Sequence, residues 1–162
     1  MNFRSIDKHN YPQVADIYQM GIQTGIATFE TEVPSYELWD SKHLPFCRLT
    51  LNQGDQVIGW AALSAVSSRE VYGGVAEVSI YVHPDFHGNH AGTQLLNHLI
   101  SESETHHIWT LQCGIMEENK ASIALHKKCG FREIGYRERI GCLHGQWKNN
   151  IILERRSPKI GI

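Results

Sequence analysis

Apolar residues recur along the chain at two spacings, and the switches between them divide it into elements. Tyr11, Val14, Ile17, Tyr18 and Ile22 fall three or four positions apart, which predicts an amphipathic helix over roughly 10–24. Asn2 to Ile6 alternates weakly, as a short first strand would. Ser35 to Leu44 follows Pro34 and reads as a second helix. Phe46–Leu51 and Gln56–Val66 are strand-like and flank Asn52-Gln53-Gly54-Asp55, a hairpin-type connection. Ala76, Val78, Ile80 and Val82 then alternate with Glu77, Ser79 and Tyr81, giving a strand with one apolar and one polar face. Leu95, Leu96, Leu99 and Ile100 mark a third helix, and Ile108–Ile115 a further strand. Asn119 caps a fourth helix carrying Ala121, Ala124 and Leu125, which Gly130 closes. Phe131–Arg139 and Trp147–Arg155 form a last pair of strands around a Gly141–Gly145 turn region. Helices and strands alternate in the second half while the middle is a hairpin meander. The fold class is therefore α/β with a mixed sheet, and 1–162 is one domain without repeat or linker.

Composition narrows the partners. The chain is 41% hydrophobic and 20% charged, with a formal net charge of −2, so no concentrated basic field points to nucleic acid or an anionic membrane. No stretch approaches the roughly 20 apolar residues of a membrane span, and Met1-Asn2-Phe3-Arg4 does not open a signal peptide. Cys47, Cys113, Cys129 and Cys142 stand singly, as free thiols of a cytoplasmic protein do. Ten histidines include the adjacent pair His106-His107 and a loop group of His83, His87 and His90. None has a cysteine or carboxylate at convincing ligand spacing, so no metal is expected. Trp39, Trp60, Trp109 and Trp147 read as packing residues.

The most informative segment runs from Val82 through His83-Pro84-Asp85-Phe86 to Leu96. It sets a polar, small-residue loop between a strand and an amphipathic helix. The first N–H groups of a helix lack intrahelical partners and the helix dipole favours an anion there. Small residues at Gly88, Ala91 and Gly92 would let a diphosphate approach those amides. The glycines by themselves are equally well plain turn residues. No Gly-Lys-Ser/Thr follows, so this is no Walker loop, and it is not the dinucleotide fingerprint either.

His87-Gly88-Asn89-His90-Ala91-Gly92 resembles the acetyl-CoA loop of the GNAT N-acetyltransferase superfamily, whose pattern is Arg/Gln-x-x-Gly-x-Gly/Ala. His90 stands where that family usually has a glycine, at a place that calls for φ > 0; histidine tolerates that region better than most residues. Asn119-Lys120-Ala121-Ser122, followed by His126 and Gly130-Phe131, resembles the second family motif. Within the superfamily, Ala27-Thr28-Phe29-Glu30-Thr31-Glu32, Ala76–Val82 and His144-Gly145-Gln146-Trp147 are similar to phosphinothricin acetyltransferases and relatives acting on methionine sulfoximine or sulfone. Together the resemblance spans approximately 3–155.

The resemblance implies a GNAT fold: a mostly antiparallel sheet splayed between two parallel strands and flanked by about four helices. It implies acetyl-CoA as co-substrate, a small-molecule amine as acceptor, and a homodimer. Main-chain amides of Ile80, Tyr81 and Val82 would pair with the pantetheine, and His87, Gly88, Asn89, His90, Ala91, Gly92 and Thr93 would cradle the diphosphate. Asn119 would contact the pantetheine arm, a role compatible with its cap. Glu77 would be the general base, on the polar face of its strand where partial burial raises a carboxyl pKa; the alternative is a solvated strand carboxylate. His144 would serve the substrate pocket or proton movement, or else be an exposed loop residue. His126 would stand near the departing sulfur, or else be a surface histidine between helix turns. Phe29, Glu30, Glu70 and Tyr72 would line the acceptor pocket. Two other functions remain open on the sequence: a non-catalytic acyl-CoA sensor, and an acetyltransferase for a protein N-terminus or a polyamine.

Overall fold

The computed structural model describes all 162 residues. Its strands are β1 (Asn2–Ser5), β2 (Leu49–Gln53), β3 (Gln56–Ala65), β4 (Val75–Val82), β5 (Thr110–Met116), β6 (Arg132–Leu143) and β7 (Gln146–Arg156). Its helices are α1 (Tyr11–Gln23), α2 (Tyr36–Lys42), α3 (Ala91–Thr105) and α4 (Lys120–Lys128). The strands form one sheet in the order β1-β2-β3-β4-β5-β7-β6, antiparallel at every contact except β4–β5. This is the mixed, splayed sheet with four helices that the motifs implied. No helix is long and apolar enough to cross a membrane.

Local chemistry explains the element ends. Ser35 Oγ accepts from the Leu38 N–H at 3.2 Å, capping α2. That helix stops at Lys42, short of the expected Leu44, because Leu44 precedes Pro45 and is biased away from the helical region. β2 begins at Leu49 instead of Phe46, since Cys47 at φ 55 interrupts extended backbone. The last hairpin is tighter than expected. β6 continues through Gly141 to Leu143, and His144 (φ 48) and Gly145 (φ 77) alone make the turn between Leu143 and Gln146. Two positive φ values in a two-residue loop match the twist of the flanking strands.

Two apolar clusters lie on opposite faces of the sheet. One packs α1 and Trp39 of α2 on Val57, Trp60 and Ala62 of β3. The larger packs Leu95, Leu96, Leu99 and Ile100 of α3 with Ile58, Ala61, Leu63, Ala76 and Val78. β3 feeds both because successive side chains of a strand covered on both faces point opposite ways, and a bulge at Ile58, between the pairs Leu51↔Gly59 and Asn52↔Val57, puts Val57 on the face of Trp60. Trp39 and Trp60 are fully buried, as expected, whereas Trp147 is 63% exposed. It follows the β6–β7 turn, beyond the reach of either cluster.

Candidate active site

β4 pairs with β3 along its length, from Ala65↔Ala76 to Gly59↔Val82. Its pairing with β5 ends after Val75↔Thr110, Ala76↔Leu111 and Glu77↔Gln112. From Val78 to Val82 the β5-facing edge of β4 therefore has no strand partner. Main-chain donors in such a place need an acceptor from elsewhere. At the end of β4 the His83 N–H donates to the carbonyl of the bulged Ile58 at 2.8 Å, which aims the chain into the loop. A single 3-10 turn, Pro84–Phe86, leads to Gly88 at φ 80 and to His90 at φ 60, ψ 10. His90 thus takes the left-handed conformation that the missing glycine would have supplied. The N–H groups of Gly88, His90, Ala91, Gly92 and Thr93 donate to no protein acceptor, and no side chain caps α3. Successive free amides at a helix start form an anion cradle.

This loop and the open β4 edge border a groove of about 660 Å³. Ile80, Tyr81, Val82, His87, Gly88, His90, Ala91, Gly92, Thr93 and Asn119 all line it; Asn89 does not. The His87 ring is tied to the strand end, Nε2 lying 2.9 Å from the Val82 carbonyl. Asn119 both lines the groove and caps α4, its Oδ1 accepting from the Ser122 N–H at 3.3 Å. Sequence reasoning missed the opposite wall: Ile17, Met20 and Gly21 of α1, then Thr24, Ile26 and Ala27 just beyond it, and Lys128 at the end of α4. Gly21 carried a legible signal. Glycine within a helix costs about 1 kcal/mol against alanine, so its presence marks a close approach. A Cβ there would stand 2.6 Å from the Tyr81 ring.

A second cavity of about 440 Å³ lies on the polar face of β4, lined by Ser64, Ser79 and Tyr81 together with Tyr18, Thr28, Glu30, Glu32, Lys42 and His43. Tyr81 lines both spaces. Its ring is fixed by stacking on Tyr18 at 5.0 Å and Trp60 at 4.9 Å. Glu77 shares the face of Ser79 and Tyr81 and stands opposite Ser64, whose side chain lines the cavity. Glu77 itself is exposed and lines neither space. The protein around its carboxyl group still removes enough water to raise its pKa, and the charge of Arg137 acts the other way. Beside it, burial and then Glu77 push the Cys113 thiol up to about 12.

The model of the acetyltransferase (GNAT) family matches residues 14–131. The chain belongs to this family. It is accordingly an acetyl-CoA-dependent N-acetyltransferase. At 27% identity it is similar to phosphinothricin N-acetyltransferase of Alcaligenes faecalis, over 94% of this chain and 80% of that one. It is 28% identical to an L-methionine sulfoximine/L-methionine sulfone acetyltransferase of Salmonella typhimurium, over 91% of this chain and 89% of that one. A solved GNAT phosphinothricin acetyltransferase from Sinorhizobium meliloti, in complex with AcCoA, superposes with TM-score 0.86 at 26% identity, over 99% of this chain and 94% of that one.

Several residues singled out in the sequence lie elsewhere in the acetyltransferase. His126 is neither at the groove nor at the surface. It is 2% exposed, packed edge-on against Phe131, with Nδ1 donating to the Ser122 carbonyl at 2.7 Å. Its Nε2 is buried without a partner, and burial lowers its pKa, so the ring is held neutral. The reason is helical phase: Asn119, Ser122 and Leu125 face the groove, and position 126 turns inward. Glu70 and Tyr72 form an exposed 3-10 turn, with the Arg69 guanidinium over the Tyr72 ring, and line neither space. The segment stands off because Trp109 covers Gly74 and anchors it to the start of β5. Phe29 packs over Gly141 of β6 and leaves Glu30 as the one residue of that group in the polar cavity. His144 is a turn residue lining neither space.

Proposed function

We propose that the enzyme acetylates the amine of a small amino-acid-like acceptor bearing a second polar or anionic group, of the phosphinothricin or methionine sulfoximine and sulfone type. The observation that carries this is that Tyr81 of the free β4 edge lines both the groove and the polar cavity. A long thiol ester in one and an amine in the other would then face each other across the free β4 edge. The free amides of Gly88, His90, Ala91, Gly92 and Thr93 would hold the diphosphate of acetyl-CoA, and Ile80–Val82 its pantetheine. Lys42, in the wall of the polar cavity, offers a cation to the acceptor's acidic group.

The amine lone pair attacks the thioester carbonyl, and the oxyanion that develops accepts from a β4 amide. The C–S bond then breaks and coenzyme A leaves as the thiolate. Before that attack Glu77 takes one ammonium proton through a water, for which Ser64 and Ser79 supply hydroxyl partners, and the proton that nitrogen loses as the amide forms goes to the departing thiolate. Much of the rate comes from holding the two reactants in line, with effective molarities on the order of 10⁵ M or more for well-oriented pairs.

The test is thiol release from acetyl-CoA against a panel of phosphinothricin, methionine sulfoximine, methionine sulfone, common amino acids, spermidine and an N-terminal peptide. Turnover confined to the amino-acid analogues supports the proposal. Preference for spermidine or the peptide would move the acceptor class. Tight cofactor binding with no turnover would make the chain a sensor.

A further inference from the structure

At the far end of α3 from the diphosphate cradle, roughly 22 Å away by helix rise, three groups of different chemistry converge. The Sγ of Cys47, a carboxylate oxygen of Glu102 and a ring nitrogen of His106 lie within 4.8 Å of one another. We propose that Cys47, Glu102 and His106 bind one divalent transition-metal ion of the zinc type. Thiolate, carboxylate and imidazole are the donor set such an ion takes. Bonds of about 2.0–2.3 Å in a tetrahedron put ligand atoms roughly 3.5 Å apart, so ligand atoms within 4.8 Å of one another need draw in by no more than about 1.3 Å. A water completes the fourth position on the side of the exposed His106.

Four observations point to a cation here. Glu102 has no basic partner; its recorded bond is the Cys47 N–H donating to Oε1 at 3.3 Å. Cys47 is 1% exposed and held at φ 55, a backbone state kept only where the surroundings dictate it. The His106 ring is clamped parallel to Phe46, at 4.3 Å and 3°. The last turn of α3 contains no basic residue of its own, and the Arg155 and Lys159 charges that approach it are taken up by Glu104, not by Glu102. Without a cation, burial and then the Glu102 charge push the Cys47 thiol up to about 12. A divalent ion reverses this: it displaces the thiol proton to solvent, and two anionic ligands then balance its charge. The site is independent of acetyl transfer.

Protein freed of metal with a chelator is titrated with Co²⁺ and the thiolate-to-cobalt absorption followed, with Zn²⁺ as competitor. The expected result is one Co²⁺ per chain, displaced by Zn²⁺. Cys47→Ser should lose the charge-transfer band, and His106→Ala and Glu102→Gln should fail to saturate where the parent does. His106 is exposed, so His106→Ala keeps the fold and its acetyl transfer while losing the Tm increase that Zn²⁺ gives the parent. No saturable uptake by the folded parent would overturn the proposal. So would a cobalt spectrum unchanged in Cys47→Ser, which would put the ion elsewhere, on the His83, His87 and His90 loop for instance.

Discussion

The proposed role of Glu77 as base rests on its place beside Ser79 and Tyr81 on the polar face of β4 and on the direction of its pKa. A base acts when deprotonated, and burial raises this carboxyl above its ordinary range. The acidic limb of kcat/KM should therefore lie above the roughly 4.3 of an unperturbed glutamate, activity falling as pH drops through it. Glu77→Gln should abolish that limb and lower turnover on the order of 10²–10⁴-fold, while titration calorimetry finds acetyl-CoA affinity unchanged. Equal loss of both would assign Glu77 a structural role. His126 gives the opposite kind of test. Its folded pKa is depressed by burial, so below about 6.5 the unfolded chain takes the proton first and stability falls as pH is lowered. His126→Gln should flatten the difference between urea midpoints at about pH 7.5 and about pH 5.5, and turnover should persist because the ring does not line the groove.

At the scale of elements, the site is made by where pairing stops. Three β4–β5 pairs hold the strands together, and the next residues of β4 keep an open edge. α1 closes the groove from the other side because Gly21 lets the Tyr81 ring lie against its backbone. Gly21→Val should displace that ring and raise KM for both substrates, since Tyr81 lines both spaces; a change confined to one substrate would contradict that geometry. In α3, a Cβ at Gly92 would meet Leu125 Cδ2 at 3.1 Å. Gly92→Leu should push its side chain into the cofactor groove and weaken acetyl-CoA binding at least tenfold, about 1.4 kcal/mol. An unchanged dissociation constant would remove Gly92 from the cradle.

Across the whole molecule, the larger cluster under α3 ties the cradle to the sheet. Leu99 is fully exhausted of solvent contact within it. Leu99→Ala should cost about 2–5 kcal/mol, read as a lower urea midpoint. The C-terminal residues are held as well. Ser157 Oγ and Arg155 bond Glu104 at 2.8 Å and 3.2 Å, and Arg156 reaches the Ile160 carbonyl at 2.9 Å. Ser157 lies beyond the 3–155 span of the family resemblance, and its partner Glu104 is 53 residues away along the chain.

What the sequence determined by itself is what local physics controls: helical and alternating periods, the cap at Asn119, and the loop whose small residues leave amides free. These depend on neighbours within one turn or one strand. Tertiary structure alone decided which side of each element meets which cavity. It turned His126 inward, stood Glu70 and Tyr72 off the site, brought α1 against Tyr81, and set Cys47 beside Glu102 across 55 residues of chain. Helical phase and strand bulges convert a shift of one residue into a change of face, and only packing of the whole chain fixes that phase.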